Sequence, residues 1–257
     1  MTKSIISLSN VCKSYKRNNL KKQVIKDISF TVKKGEVVTL LGESGCGKSS
    51  ILNLVGGFTF PDEGKVLVNE KVVTKPERNC IILFQQHNLL PWRTVLDNVV
   101  LGLSGESKLK REKAIKVLEL VDLKAYLTNY PHELSGGMQQ RVAIARAFAM
   151  QPDVILMDEP FAALDTFNRY HLQDELIRMQ EQEQLTILLV THDIDEAVYL
   201  SDRILIMSSN PGEIYQTISI DLPKPRSRSN DAFHYYRSKI FETFKVSNEM
   251  NKPEYFI

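Results

Sequence analysis

A glycine-rich stretch at positions 42–50, GESGCGKSS, has the residue types that bind phosphate. It matches the spacing G-x-x-x-x-G-K-[ST], which a chain of this length shows by chance about once in a hundred. In such a loop the glycines let the backbone wrap a β-phosphate, the lysine neutralises β- and γ-oxygens, and the serine hydroxyl can bind Mg²⁺. A strand predicted before it and a helix predicted after it disfavour the alternative of a flexible surface turn. The predicted nucleotide-binding residues are Gly42, Glu43, Ser44, Gly45, Cys46, Gly47, Lys48, Ser49 and Ser50.

Two adjacent carboxylates, Asp158 and Glu159, follow the apolar run VILM at 154–157. The run predicts a buried strand, and the pair would then lie at its carboxyl end. Taken alone, such a pair could be ordinary surface charge. Adjacent carboxylates are costly unless a cation is near, so beside a phosphate loop they favour a metal–nucleotide site. We predict that Asp158 holds the Mg²⁺ shell and that Glu159 orients the attacking water.

A histidine and a tyrosine are further candidates. His192 follows the apolar run LTILLVT and could be a structural hydrogen-bonding group. In an α/β sheet, however, this position lies on the same edge as Lys48 and Glu159, which favours contact with a γ-phosphate. Tyr15, in the turn-rich segment KSYKRNN, could stack on an adenine ring, with core packing as the alternative.

A second stretch able to bind an anion is ELSGGMQQR at 133–141. Ser135, Gly136 and Gly137 expose backbone N–H groups before a predicted helix, whose N-terminal end attracts negative charge. The residues alone leave open why one domain would need two phosphate sites.

The elements that must position these residues follow from apolar spacing. VVTLL at 37–41 predicts a buried parallel strand, and KSSILNLVGG at 48–57 predicts a helix that ends at its glycine pair. Strands that alternate with helices predict an α/β fold with a mostly parallel sheet. The runs SIISLSNV and KDISFTV predict strands of an N-terminal antiparallel β part.

The middle of the chain has a different pattern of apolar residues. Apolar spacing predicts helices over 108–126 and 137–150, and β-rich runs disappear. We interpret about 86–150 as a helical subdomain inserted into a domain of residues 1–222. The Pro/Arg/Ser-rich stretch at 222–230 predicts a linker, followed by a helix at 231–244 with Asn230 or Asp231 as its cap.

Composition limits the classes of function. Thirty-three Lys and Arg against 31 Asp and Glu give a net charge of +2, so no basic field favours nucleic acid. Cys12, Cys46 and Cys80 form no metal-ligand pattern and fit a reducing compartment. No run of about 18 apolar residues is present, so we expect any membrane role to require a partner.

Together these segments resemble the ATP-binding subunit of ABC transporters, which has a P-loop NTPase core, across nearly the whole chain. GESGCGKSS is similar to the Walker A loop, VILMDEP to Walker B, and LSGGMQQR to the family signature. ILFQQ at 82–86 resembles the Q-loop, AALD at 162–165 the D-loop, and VTHD at 190–193 the switch-histidine loop.

The resemblance implies a role for each matched residue. Gln85 would be a ligand of Mg²⁺ and a sensor of the γ-phosphate of ATP, and Asp165 would link the halves of a dimer. Glu159 would be the general base, and His192 would contact the γ-phosphate. In this family two subunits pack head to tail, so Ser135, Gly136 and Gly137 would cap the ATP held by the other subunit. That arrangement explains the second anion site.

Within the family, FQQHNLLPWRTVLDNV, PHELSGGMQQR and the tail LPKPRSRSNDAF most resemble importers of the nitrate, sulfonate and taurine group. Gln86 and Ala162 depart from the residues common in that group, so the solute stays open. The resemblance implies a homodimer formed through ATP, transmembrane permease subunits as partners and, indirectly, a solute-binding protein. It also implies a peripheral location on the cytoplasmic face of the cell membrane, with no nucleic acid as partner.

The apolar residues Leu89, Leu90 and Trp92 follow the Q-loop, where this family docks its membrane subunit. Core packing is the alternative for Trp92. Another reading of the whole chain is a soluble ABC-class ATPase of repair or translation, but a second cassette and a long coiled-coil insertion are missing from the sequence. A GTPase would need N-K-x-D, and NKPE at 251–254 lacks the aspartate.

Overall fold

The computed structural model describes residues 3–17 and 20–249. The strands, in chain order, are β1 (Ser4–Arg17), β2 (Leu20–Lys33), β3 (Val37–Leu41), β4 (Glu63–Val68), β5 (Lys71–Val72), β6 (Cys80–Leu83), β7 (Val154–Asp158), β8 (Thr186–Thr191), β9 (Arg203–Met207) and β10 (Ile214–Ser219). The α-helices are α1 (Lys48–Val55), α2 (Val95–Val100), α3 (Ser107–Leu120), α4 (Gly136–Ala149), α5 (Thr166–Glu183), α6 (Ile194–Leu200) and α7 (Asp231–Glu249). The chain forms two compact units, one of Met1–Glu77 with Thr186–Ile257 and the other of Arg78–Leu185.

The first unit contains strands of two kinds. In the antiparallel sheet the strand order is β2-β1-β4-β5, as expected for the N-terminal part. In the other group the order is β10-β9-β3-β8, and β3 runs parallel to both β8 and β9. All residues of β3 and β8 are buried, which is typical of parallel strands covered on both faces. The predicted α/β class with an antiparallel N-terminal part is confirmed.

Helix α1 begins and ends where the glycines predict. Gly47 precedes the first helical residue with φ 104°, a left-handed conformation that glycine adopts without steric cost. At the other end the backbone N–H of Gly56 donates to Leu52 O at 2.8 Å. The glycine loop is therefore held between a buried strand and a helix.

The second unit pairs β6 with β7 in parallel and places α2, α3 and α4 in mutual contact. The predicted helix over 108–126 is too long, because α3 ends at Leu120 and Asp122 has φ 56°. Val121 and Leu123 are nevertheless buried, so the apolar spacing continues although the helix has ended. Residues Lys124–Tyr126 form a 3₁₀ helix instead.

The segment predicted as a linker is fixed to the first unit. Arg226 is 6% exposed and donates to the carbonyls of Val198, Tyr199 and Ser201 at 2.6, 3.2 and 2.7 Å. Helix α7 follows, and Asn230 Oδ1 accepts from the backbone N–H of Ala232 at 2.9 Å. The boundary between 222 and 223 stays a prediction, and the NKPE stretch lies outside the described residues. Of the helices described, none combines the length and the hydropathy needed to span a membrane.

Candidate nucleotide site

The loop between β3 and α1 closes around the ammonium group of Lys48. The Nζ atom donates to the carbonyls of Gly42 and Glu43, both at 2.8 Å, and the residue is 5% exposed. These bonds compensate the loss of water around a buried cation. An ammonium group has three N–H donors, so one remains for an anionic oxygen.

The tip of this loop is open. Gly45 has φ 84°, and a Cβ built on it would meet no heavy atom within 4 Å. Glu43, Ser44 and Ser49 are exposed, and Ser50 is half-buried. The side chain of Cys46, like that of Lys48, turns inward: it is 1% exposed, and burial raises the pKa of its thiol. The loop therefore presents backbone and hydroxyl groups to solvent above a buried cation.

His192 follows strand β8 at the same edge of the sheet as this loop. Leu41, the last residue of β3, pairs with Thr191, the last residue of β8. Because the two strands are parallel, Gly42 and His192 follow paired residues at one carboxyl edge. His192 is exposed there.

Tyr15 lies in a strand, not in the turn-rich stretch that the sequence predicts. It is part of β1 and pairs with Lys22 of β2. The pairing with β2 extends this strand past the Ser and Lys residues that suggest a turn. The side chain is 40% exposed, and Lys13 Nζ lies 5.5 Å from the centre of its ring.

In the second unit, the register of β6 and β7 brings another set of predicted residues to one edge. Leu83 pairs with Met157, so Gln85 and Asp158 leave neighbouring parallel strands at the same end. Gln85 is exposed, whereas Asp158 and Glu159 are half-buried. Glu159 has φ 48°, a left-handed conformation that is uncommon outside glycine. Conformations of this kind cost free energy and cluster at functional sites.

The signature stretch begins helix α4. Ser135 caps the helix, its Oγ accepting from the backbone N–H of Met138 at 3.3 Å. A Cβ on Gly137 would come within 3.0 Å of Leu164 Cδ2, a tight contact that a small shift of the leucine side chain would relieve. A Cβ on Gly136 would meet no heavy atom within 4 Å, so packing within this chain does not explain why position 136 is a glycine.

Asp165 caps helix α5. Its carboxylate accepts from the Asn168 backbone N–H at 3.1 Å and from the Asn168 side-chain amide at 2.5 Å. Bonds from the Asn168 side chain, and then from its backbone, lower the pKa of the Asp165 carboxyl. The group therefore stays ionised on an exposed loop.

The segment after the Q-loop is exposed at its tip. Trp92 is 71% exposed, which excludes core packing of its ring in this chain, while Leu89 and Leu90 are half-buried. Asn98, which sequence reasoning missed, is fully buried and fixes this loop. Its amide accepts from Leu90 N at 2.8 Å and donates to the carbonyls of Leu90, Arg93 and Thr94 at 3.2, 3.1 and 3.0 Å. A lone asparagine in the apolar run VLDNVV was the available signal.

Comparison with known proteins gives consistent results. The family model described as ABC transporter matches residues 25–162, more than half of the chain. The aliphatic sulfonates import ATP-binding protein SsuB of Bacillus cereus is 43% identical over 240 residues, covering 93% of this chain and 96% of the relative. The nitrate import ATP-binding protein NrtC of Synechococcus elongatus is 42% identical over 220 residues, 82% of this chain and 33% of the relative.

The fold is also similar to solved structures. One is the dimeric post-hydrolysis state of the ATP-binding cassette MJ0796 bound to ADP and Pi. It aligns with a TM-score of 0.78 and 32% sequence identity, covering 85% of this chain and 100% of that one.

Proposed function

This chain belongs to the ABC transporter family as an ATP-hydrolysing subunit of an importer, and we propose that it drives uptake of a small solute of the nitrate, sulfonate or taurine type. The relatives that import sulfonates and nitrate support this solute class. None of these matches supports the alternative of a repair or translation ATPase.

The observation that carries ATP binding is the buried ammonium of Lys48 beneath an open glycine loop. Backbone N–H groups of residues 42–50 surround the β-phosphate, and the remaining Lys48 donor neutralises the β- and γ-oxygens. Tyr15, with a partly exposed ring, stacks on the adenine. The loop fits a triphosphate because it offers donors and space in one place.

The Ser49 hydroxyl, the Asp158 carboxylate and the Gln85 amide oxygen are oxygen donors of the kind that Mg²⁺ prefers. When bound, the ion neutralises charge on the β- and γ-phosphates. Glu159 accepts a proton from the attacking water, and its left-handed backbone is of the strained kind that clusters at functional sites. His192 and Gln85 contact the γ-phosphate and respond to its loss.

The signature stretch serves the ATP of a second copy. The close approach of a phosphate from the facing subunit explains a glycine at position 136, where this chain itself leaves space for a side chain. Ser135 and Gly137 contribute donors at the positive end of α4. Asp165, ionised and exposed, contacts the partner subunit.

Substitution of Gly136 by Ala should separate ATP-dependent dimerisation from folding. The extra methyl meets nothing in this chain, and Ala favours a helix, so the unfolding temperature should stay equal or rise slightly. The methyl would obstruct the facing γ-phosphate, and we expect roughly 10-fold weaker ATP-induced dimerisation. Thermal unfolding and size-exclusion chromatography with ATP measure the two effects.

Gly137→Ala is the matched control. Its methyl would come within 3.0 Å of Leu164 Cδ2, so the side chain of Leu164 has to shift to accommodate it. Normal ATP-dependent dimerisation of the Gly136→Ala protein would contradict the role of Gly136 toward a second subunit.

The exposed tip around Trp92 contacts the permease, with Leu89 and Leu90 beside it. An exposed tryptophan on a loop held by a buried asparagine loses little conformational entropy on binding. The subunit is thereby held peripherally at the cytoplasmic face of the membrane, and a solute-binding protein acts on it through the permease.

Trp92→Ala should weaken assembly with the permease by about 30-fold, the effect of removing a typical interface tryptophan. Affinity for ATP should be unchanged, because the Trp92 ring is 71% exposed and its removal should leave the fold of the chain intact. Binding to detergent-solubilised permease and titration with a fluorescent ATP analogue give the two values. Tyr235→Ala, which removes a 61% exposed ring from α7, is the control. Equal losses of both affinities for Trp92→Ala would contradict docking through this residue.

The solute class is tested by uptake. A strain without the gene should lose growth on the transported compound when that compound is the sole sulfur or nitrogen source. The wild-type gene should restore growth and the Lys48→Ala gene should not. Undiminished growth on aliphatic sulfonate, taurine and nitrate would overturn the proposed solute class.

A further inference from the structure

The position of His192 depends on the first turn of helix α6. The backbone N–H of Asp193 donates to Thr191 Oγ1 at 3.0 Å, and that hydroxyl donates to Glu196 Oε2 at 3.0 Å. The Asp193 carboxylate accepts from Glu196 N at 3.1 Å. Both neighbours of His192 are therefore hydrogen-bonded into this turn.

The C-terminal segment of the chain contacts both ends of helix α6. At the C-terminal end, Arg226 donates to three backbone carbonyls of residues 198–201, as described above. The guanidinium of Arg228 lies 3.4 Å from the centre of the Tyr199 ring. At the N-terminal end, Arg237 Nε of α7 donates to Asp195 Oδ1 at 2.5 Å.

Helix α7 is a firm support for this last contact. Phe233 and Ile240 are 2% and 0% exposed, so the turns on both sides of Arg237 are anchored in the core. Arg237 and Asp195 themselves are about half exposed. An exposed ion pair of this kind contributes little to folding.

A cavity of about 530 Å³ lies between α7 and the start of α6. Its lining includes His192, Asp193, Asp195, Arg237, Phe241 and Glu242. Within this lining, the ion pair of Arg237 with Asp195 joins α7 to the first turn of α6.

We propose that Arg237 is a positioning residue for His192, acting through Asp195 and the first turn of α6. This inference rests on the proposed contact between His192 and the γ-phosphate. It assigns the C-terminal helix a part in hydrolysis: an ion pair between α7 and Asp195, three residues after His192, keeps the histidine in place. Catalytic geometry tolerates errors of only about 0.5 Å, so a loosened turn lowers turnover without lowering nucleotide affinity.

The test compares turnover, KM and nucleotide affinity of the full chain for Arg237→Ala in two backgrounds, wild type and His192→Ala. In the wild-type background kcat should fall about 5- to 10-fold, with affinity for a fluorescent ATP analogue and the unfolding temperature nearly unchanged. In the His192→Ala background Arg237→Ala should have no further effect. Asp195→Asn should reproduce the loss, and adding Arg237→Ala to it should change nothing more.

Lys239→Ala is the matched control, since it removes from the same helix a positive charge that lies 6.0 Å from the centre of the Tyr235 ring. Arg237→Lys keeps a cation and should recover most of the turnover. If the turnover of the His192→Ala protein is too slow to measure, the turnover of Arg237→Lys is the test of the proposal. Turnover of Arg237→Lys as low as that of Arg237→Ala then overturns the proposal.

Unchanged turnover of Arg237→Ala, or an equal loss in both backgrounds, would also overturn it. Different results would contradict the role of His192 in hydrolysis and the positioning role of Arg237. Full turnover of the His192→Ala protein would contradict the proposed role of the histidine itself, whereas a defect in His192→Ala without one in Arg237→Ala would contradict only the positioning role.

Discussion

Glu159→Gln should retain ATP binding while losing turnover by roughly 100-fold or more, the usual contribution of a general base. The amide is nearly isosteric with the carboxylate, so the left-handed backbone at this position and the turn after it should persist. What disappears is a group that can accept the proton of the attacking water. ATP then stays bound, and we expect the protein to accumulate as a dimer.

Single-turnover hydrolysis and size-exclusion chromatography with ATP and Mg²⁺ measure these two effects. Glu181→Gln supplies the control, because it makes the same chemical change at an exposed position of α5. Wild-type turnover in the Glu159→Gln protein would rule out this residue as the base.

A mixture of two inactive subunits, Lys48→Ala and Ser135→Arg, should recover activity that neither has alone. Loss of Lys48 removes the cation beneath the glycine loop, and an arginine at the start of α4 obstructs the signature stretch. If each ATP lies between the glycine loop of one subunit and the signature of the other, a mixed dimer has one intact site of two. Random pairing makes half of the dimers mixed, so turnover should return to about a quarter of wild type.

The alternative predicts a different result. If Ser135 served the nucleotide of its own chain, every subunit in the mixture would carry one defect, and no site would be intact. ATP hydrolysis and ATP-dependent dimerisation that both stay at the level of the single variants would therefore exclude the composite site. Ser107→Arg, at the exposed start of α3, controls for the added charge and bulk. Thermal unfolding checks both variants, since Lys48→Ala leaves two carbonyls without their donor.

Several elements follow directly from local sequence. The glycines around α1, the apolar run of β3 and the helical spacing of α4 act over a few residues, and the structure has these elements where the spacing predicts them. Helix α3 shows the limit of this reasoning. Its apolar spacing continues through Val121 and Leu123 because those residues are buried after the helix has ended.

Residues that depend on distant partners were not predictable in the same way. The role of Asn98 can be recognised only when the loop from Leu90 to Thr94 is folded back onto it. The role of Arg226 can be recognised only when its segment reaches the end of α6. The composition of residues 222–230 suggests a linker because Pro, Arg and Ser are typical of exposed chain. A buried arginine that satisfies three carbonyls reverses that expectation for this segment.

The amino-acid sequence by itself determined the family and the position of the glycine loop that we propose binds phosphate, because both depend on short runs of fixed spacing. Only the tertiary structure decided that Leu41 and Thr191 end side by side, that Glu159 has a left-handed backbone, and that Arg237 reaches Asp195. These features join residues separated by tens to hundreds of positions, or depend on backbone angles that surrounding contacts impose. The local spacing of residues predicts neither long-range contacts nor such backbone angles.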